Sequence, residues 1–360
     1  MDESIEKLKN SLIYKMSLGS KELYHSNVWA WLIENDSNFI DAFVEKIPSD
    51  FKLLKVVREE KNRDLTLHFL NKENNEKCIV IENKLKSIPY IEQLEKYTND
   101  LRGNFYEGIL TGIILPNIFN GDKSINLGDN KIWCFSSYSE ISRKILDILN
   151  KSINTTIINN KLLIEEYCNN IIVMEQIVSN AIISNNLYVR WDNDLDDLGL
   201  LDLVKKVNGS LFINYVKLRL DEDKINHKSL QLGQSFHNKK ITIDIRLERH
   251  GDWFYCGTQI EGNQFRRIID KKTTSLDDLF NMFVGYGFFD GNYNPKIKEI
   301  NLPNFSFSNA KTSMSKKYDK YGDSVVYQYV NIEDFDFEAL YQLIKNDLKL
   351  SIGIFDKVNN

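Results

Sequence analysis

The strongest constraint on the fold is a change of hydrophobic period in the first third of the chain. Apolar residues recur at helical spacing up to Pro48, whereas segments 53–58, 64–70 and 78–85 are short, β-branched or alternating, with polar residues between them. Such segments predict strands, because alternate side chains of a strand point to opposite faces of its sheet. We interpret them as a three-stranded meander that follows an N-terminal helical block.

Two later segments are apolar throughout and do not alternate. They are residues 108–115, which end before Pro116, and residues 131–135, and helices are predicted near 90–102 and 139–150. A strand that is apolar on both faces needs cover on both faces. The sequence therefore predicts an α/β (α+β) fold in which a mixed central sheet is flanked by helices.

Beyond residue 150 the sequence predicts a second region of helices and strands. Helical periodicity continues to about residue 187, and strands and a final helix are expected at 241–247, 252–260, 324–330 and 335–349. We therefore predict three parts, which are a core at 1–150, a helical connector at 151–190 and a C-terminal α+β region at 191–360 that binds nucleic acid or a partner.

The composition is that of a folded protein without an overall positive field. The 360 residues are 42% hydrophobic and 27% charged, with a net charge of -5, so a polyanion would have to meet a local patch. The four cysteines form no CxxC motif and no Cys/His cluster, which argues against a zinc site or a disulfide framework. Without a leader pattern or a long apolar stretch, we expect a reduced, cytoplasmic protein with no membrane contact.

The residues that carry chemistry lie on the second and third predicted strands. Asp64, Thr66 and His68 share one face of the second strand, and Glu82 and Lys84 project together from the third. A neighbouring antiparallel strand can place Asp64 beside Glu82, and two facing carboxylates repel unless a cation lies between them. Hard oxygen ligands suit Mg²⁺, or Mn²⁺ in its place.

Lys84 has a distinct predicted role beside this pair. It can position or deprotonate the attacking water, or stabilise charge in the transition state. Metal, carboxylates and ammonium together indicate hydrolysis of a phosphodiester. The alternative is a solvated edge strand with an ion pair worth about 0 to 1 kcal/mol. The apolar sequence of residues 79–85 argues against an edge.

These residues resemble the signature of a known family. Asp64 followed by Glu82-Asn83-Lys84 is similar to the PD-(D/E)xK nuclease motif, and Gln93 with Tyr97 resembles the QxxxY motif of its RecB-like and λ-exonuclease-like branches. Arg63 stands where the motif name has proline, a difference that removes no chemical group. The resemblance implies a restriction-endonuclease-like core of helix, three-stranded meander, helix and strand.

The N-terminal segment adds to this resemblance. Residues 22–32, with Glu22 followed by His25-Ser26, are similar to the opening motif of a bacterial PD-(D/E)xK group. Glu22 and His25 are three residues apart and share a helix face. His25 is interpreted as a metal ligand, a phosphate contact or a hydrogen-bonded core histidine, and the sequence leaves these alternatives open.

The resemblance also implies a role for each site residue. Asp64 and Glu82 would hold the metal, with Glu22 as a further ligand or water holder and the backbone carbonyl of Asn83 completing the shell. Lys84 would be the catalytic lysine. A last set of residues would orient Lys84 or contact the substrate, namely Gln93, Tyr97 and His25.

The implied function is that of a Mg²⁺-dependent nuclease, with DNA favoured over RNA, in phage defence or DNA processing. Two alternatives stay open at this point. One is a toxin-like enzyme that cleaves RNA, and the other is a non-catalytic module that binds nucleic acid or protein on a nuclease-like fold. A homodimer and a defence-system partner protein are both compatible with the sequence.

Overall fold

The computed structural model of the protein describes residues 2–10, 22–85, 91–113, 123–128, 131–182, 185–190, 192–225, 230–237, 240–248, 254–261, 264–271 and 325–359. The chain divides into two compact units, Met1–Ile183 with Trp191–Val207, and Ser184–Arg190 with Asn208–Asn360. The domain boundaries predicted near residues 150 and 190 stay a prediction.

The first unit contains a six-stranded sheet and the helices around it. Its elements in chain order are α1 Asp2–Asn10, α2 Glu22–Asn35, a 3-10 helix Ser37–Ala42, β1 Lys52–Glu60, β2 Arg63–Leu70, β3 Glu76–Lys84, α3 Ile91–Asp100, a 3-10 turn Arg102–Asn104, β4 Phe105–Gly112, β5 Ser124–Asn126, β6 Ile132–Ser137, α4 Tyr138–Leu149, α5 Thr155–Asn159, α6 Lys161–Ile182 and α7 Asn193–Asp197. Helix α8, Leu201–Glu222, begins in this unit and continues into the second.

The sheet of the first unit is mixed, as predicted. Its strand order is β1-β2-β3-β4-β6-β5. Strands β1, β2 and β3 form an antiparallel meander, β3 pairs with β4 and β4 with β6 in parallel, and β5 pairs antiparallel with β6. The parallel pairs need crossover connections, and α3 supplies the one between β3 and β4. The prediction of a mixed sheet flanked by helices is confirmed.

The two faces of the meander are set by strand alternation. Leu65, Leu67 and Phe69 are buried on one face of β2, and α2 packs across β1, β2 and β3. Neighbouring residues of a strand point to opposite faces. Asn83 contacts Ser26 of α2, and Glu82 contacts α3, so the two helices lie on opposite faces of β3.

Gly108 of β4 is a point of close approach between the sheet and a large side chain. A Cβ at this position would lie 2.2 to 2.5 Å from ring atoms of Trp133. The indole of Trp133 is fully buried, and its Nε1 donates to Thr98 Oγ1 of α3 at 3.0 Å. The absence of a side chain at Gly108 therefore allows Trp133 to hold α3 against the sheet.

We expect Gly108→Ala to lower the free energy of unfolding by about 1 to 3 kcal/mol, because the new methyl group must displace a buried indole. Urea unfolding of wild type and variant would measure the difference. Gly103→Ala is the matched control, since a Cβ there meets nothing within 4 Å, and it should change stability by less than about 0.5 kcal/mol. Equal effects of the two substitutions would contradict the role given to Gly108.

The second unit is built on an antiparallel sheet and one long helix. Its strands are β7 Leu230–His237, β8 Lys240–Glu248, β9 Phe254–Glu261, β10 Gln264–Lys271 and β11 Val325–Asn331, in the order β11-β10-β9-β8-β7, and its helix is α9 Phe337–Asn359. Its core joins α8, the sheet and α9 through buried apolar residues that include Phe212, Val216, Ile260, Phe265, Leu340 and Ile344. The predicted C-terminal α+β region is confirmed.

Strands β8, β9 and β11 and helix α9 lie at the predicted positions, whereas β7 and β10 were not predicted. Both are rich in polar residues and lack a continuous apolar run, so their identity depends on pairing with neighbouring strands. Among the described helices, none combines the length and hydropathy that spanning a bilayer requires.

Candidate active site

The register of β2 and β3 brings the two predicted carboxylates together. Leu65 pairs with Ile81 in this antiparallel ladder, which sets Asp64 opposite Glu82. The backbone N–H of Asp64 donates to Glu82 Oε2 at 3.5 Å, and the backbone N–H of Asn83 donates to Asp64 Oδ2 at 2.6 Å. Each carboxylate is thus held by the main chain of the other strand.

Lys84 completes this group from the same strand as Glu82. Its Nζ lies 2.8 Å from Glu82 Oε1, and the two side chains are 13% and 2% exposed. Strand β3 lies between β2 and β4 inside the sheet. The alternative of a solvated edge strand is therefore wrong, and this ion pair is a buried one, whose partners depend strongly on each other.

Helix α3 contacts the same carboxylate from one side of the sheet. Gln93 Nε2 donates to Glu82 Oε1 at 3.3 Å and to the hydroxyl of Tyr97 at 2.6 Å. The Tyr97 hydroxyl donates to the backbone carbonyl of Asn62 at 2.6 Å. Burial, with a smaller effect of the Glu82 charge, raises the pKa of Tyr97, so this hydroxyl remains a donor.

Gln93 thus binds both Tyr97 and Glu82, and Glu82 also binds Lys84. The structure brings together five predicted site residues in one network, namely Asp64, Glu82, Lys84, Gln93 and Tyr97. Gln93 and Lys84 share Glu82 Oε1 as their acceptor. Gln93 can therefore act on Lys84 through that oxygen.

Asn83 connects the site to the other face of the sheet. Its side chain is fully buried, and its Nδ2 donates to Ser26 Oγ of α2 at 3.2 Å. On the neighbouring strand β4, Thr111 Oγ1 donates to the backbone carbonyl of Glu82 at 3.3 Å. The main chain that carries Glu82 and Lys84 is therefore fixed from α2 and from β4.

His25 lies in a buried aromatic cluster formed with Tyr138 of α4 and Tyr167 of α6. It is 3% exposed, its Nδ1 is 3.0 Å from the Tyr167 hydroxyl, and its ring centroid is 5.1 Å from that of Tyr138. Burial lowers the pKa of His25 to about 3. This environment is that of a hydrogen-bonded core histidine, the third of the alternatives that the sequence left open.

Glu22 is the first residue of α2, and its side chain lies outside the described ones. Its predicted role as a metal ligand or water holder stays a prediction. So does the use of the Asn83 carbonyl as a ligand.

The comparison with known families concerns the part of the chain that contains all of these residues. Residues 12–169 match the sequence model described as the PD-(D/E)XK nuclease superfamily. This segment belongs to the PD-(D/E)XK nuclease superfamily. The predicted superfamily is thereby confirmed, whereas its RecB-like branch and the bacterial group with the N-terminal motif stay predictions. No curated protein and no solved structure shows a significant match to the chain.

Proteins of this superfamily are generally nucleases, hydrolases that use divalent metal ions, so the match indicates a nuclease. The donor set seen here fits such an ion. Two carboxylates face each other while the adjacent ammonium of Lys84 contacts Glu82. One positive charge against two negative ones leaves the site attractive to a hard cation with oxygen ligands.

One cluster on the same hairpin was missed by the sequence analysis. His68 pairs with Cys78 across β2 and β3, and Glu76 lies beside them. The expectation that no cysteine joins a Cys/His cluster was wrong for Cys78, because the residues are ten positions apart and only the hairpin brings them together. The signal was available, since the register that sets Asp64 opposite Glu82 also sets His68 opposite Cys78.

We expect the free energy of unfolding to decrease as the pH is lowered, because His25 is neutral in the folded protein. The unfolded chain takes up a proton near pH 6.5, whereas folded His25 stays neutral to about pH 3. Between about pH 6.5 and pH 3 the unfolded state therefore binds more protons than the folded state does. The free energy of unfolding should decrease on acidification by up to about 1.4 kcal/mol per pH unit.

Urea unfolding of wild type and His25→Gln between about pH 6 and pH 4 measures this effect. Glutamine keeps a polar side chain but does not titrate, so the variant should show a shallower dependence on pH. Equal slopes in the two proteins would contradict a neutral, buried His25.

Proposed function

We propose that the protein is a metal-dependent nuclease that hydrolyses phosphodiester bonds in DNA. One observation carries the proposal: Asp64 and Glu82 are held opposite each other on β2 and β3, and Lys84 Nζ lies 2.8 Å from Glu82 Oε1. A carboxylate pair that can hold a divalent ion, with an adjacent ammonium, supplies the charges that can stabilise the transition state of phosphodiester hydrolysis. The family of residues 12–169 supports the nuclease class.

For the cofactor we propose Mg²⁺, with Mn²⁺ able to replace it. Asp64 and Glu82 would hold the ion, and Glu22 and the Asn83 carbonyl are proposed as further ligands. Carboxylate and carbonyl oxygens are the donors these ions prefer. When bound, such an ion stabilises negative charge on phosphate oxygens and makes water more acidic.

Lys84 is the proposed catalytic residue among the groups of the chain itself. Its ammonium is fixed by Glu82, so it meets the substrate in one orientation without a search over rotamers. It can donate a hydrogen bond to the attacking water or to a phosphate oxygen whose charge grows in the transition state. Gln93 and Tyr97 act as positioning residues, through Glu82 and through the Asn62 carbonyl.

Substitution of the two central residues should remove the activity. We expect Glu82→Gln and Lys84→Met each to lower the rate of DNA cleavage on the order of 10²-fold or more, because each removes a charge needed in the transition state. The measurement is cleavage of linear duplex, supercoiled plasmid, single-stranded DNA and RNA with Mg²⁺, with Mn²⁺ and with EDTA.

Lys72→Ala and Glu73→Ala are matched controls, since both residues lie exposed in the turn between β2 and β3. They should cleave at the wild-type rate. Full activity of Glu82→Gln or Lys84→Met would contradict the proposed mechanism. Cleavage of RNA in preference to DNA would overturn the substrate, and metal-dependent cleavage of neither would favour a binding module.

Binding of Mg²⁺ should also be visible without catalysis. An ion that binds only the folded protein stabilises it by about 2.7 kcal/mol at a concentration of 100 times its Kd. We expect Mg²⁺ to raise the Tm of wild type but not of Asp64→Asn, which keeps an oxygen to accept from the Asn83 N–H. The same rise in both proteins would place the ion elsewhere.

The biological setting is proposed on the sequence alone. The QxxxY motif favours DNA as the substrate, and an acidic single-chain nuclease of this kind suits a cytoplasmic role in phage defence or DNA processing. Two active sites would be natural for cutting both strands of a duplex, and a homodimer or a defence-system partner protein would supply the second one.

A further inference from the structure

A second group of metal-binding side chains lies on the hairpin that carries the catalytic carboxylates. His68 of β2 pairs with Cys78 of β3, and Glu76 lies at the start of β3. His68 and Asp64 share a face of β2, and four residues of strand separate them by roughly 13 Å. The two groups therefore lie on one face of the hairpin but are too far apart to share an ion.

The ligand atoms of this group are close enough to bind one ion. His68 Nδ1 is 2.6 Å from Glu76 Oε1 and 3.5 Å from Cys78 Sγ, and all three atoms lie within 4.8 Å of one another. In a tetrahedral zinc site the bond lengths separate nitrogen from sulfur by about 3.5 Å. Zinc binding also requires His68 Nδ1 and Glu76 Oε1 to move about 0.8 Å further apart. Glu76 can make this movement, because its side chain is 38% exposed.

The other nitrogen of His68 provides an independent observation. His68 Nε2 is buried without a hydrogen-bond partner and lies 3.4 Å from Glu60 Oε2, a carboxylate that Arg63, itself buried, holds at 2.5 Å. A metal-binding histidine usually presents its second ring nitrogen to a carboxylate, which fixes the tautomer and the ring orientation. Glu60 is placed to act as such a partner of Nε2, and His68 Nδ1, which faces Glu76 and Cys78, is the nitrogen directed toward the ion.

We propose that His68, Glu76 and Cys78 form a second metal site, for Zn²⁺ or a similar transition-metal ion, that joins β2 to β3. Sulfur and imidazole ligands favour such an ion over Mg²⁺, whereas the oxygen ligands of Asp64 and Glu82 favour Mg²⁺. An ion can enter beside Glu76, the most exposed of the three. This proposal does not depend on the proposed nuclease activity.

Co²⁺ is the probe, because it replaces Zn²⁺ and gives a charge-transfer absorption when a thiolate binds it. We expect the full-length reduced protein to bind one equivalent of Co²⁺ with this absorption, and Zn²⁺ to abolish it by displacement. Cys78→Ser should lose the absorption, and His68→Gln should bind Co²⁺ at least about 10-fold more weakly.

Two control variants separate this site from others. Cys134→Ser removes a thiol that donates to Glu107, and Glu82→Gln alters the proposed catalytic metal site. Both should keep the absorption. Circular dichroism of each metal-free variant establishes that it folds, so a loss in Cys78→Ser is not the result of unfolding.

Glu60→Gln tests the positioning role of Glu60. It should retain the absorption but bind Co²⁺ about 10- to 100-fold more weakly, and the Tm of the metal-free protein should fall because buried Arg63 loses its carboxylate partner. No absorption in wild type with excess Co²⁺, or the same absorption in folded Cys78→Ser, would overturn the second metal site. In either case the nuclease assay with Mg²⁺ would be unaffected.

Discussion

The register of one antiparallel strand pair determines most of what this protein can do. The pairing of Leu65 with Ile81 sets Asp64 opposite Glu82 at one end of the β2–β3 ladder and His68 opposite Cys78 at the other. A slip of one residue would turn every side chain of a strand to the other face. The buried apolar side chains of β2, such as Leu67, oppose such a slip, so hydrophobic packing on one face maintains the polar geometry on the other.

The charges that this register collects are costly to bury, and the surrounding contacts offset part of that cost. Glu82 is almost completely buried, yet it accepts from Lys84, from Gln93 and from the backbone N–H of Asp64. A well-packed apolar group would stabilise the interior of a sheet at least as well as such an ion pair does. Buried, mutually dependent charges of this kind are more typical of functional sites than of structural cores.

The sequence predicted what depends on local pattern and missed what depends on contacts between distant residues. Alternation and the D…ExK spacing were sufficient to place Asp64 beside Glu82. The environment of His25 was beyond such reasoning, because its partner Tyr167 is 142 positions away. The contact of His68 with Cys78 could have been predicted from the same strand register. It matches no cysteine motif of short spacing, because the hairpin brings together two residues that are ten positions apart.

Arg63 and Tyr97 together explain how the turn before Asp64 is held. Lys61 and Asn62 have positive φ, as a two-residue hairpin turn with matching twist requires, and such a backbone is strained for a lysine. The turn is fastened twice, by the Arg63–Glu60 ion pair and by the Tyr97 hydroxyl on the Asn62 carbonyl. Gln93, on the same helix as Tyr97, holds Glu82. Helix α3 therefore fixes both carboxylates. Its Gln93 binds the side chain of Glu82, and its Tyr97 holds the turn that precedes Asp64.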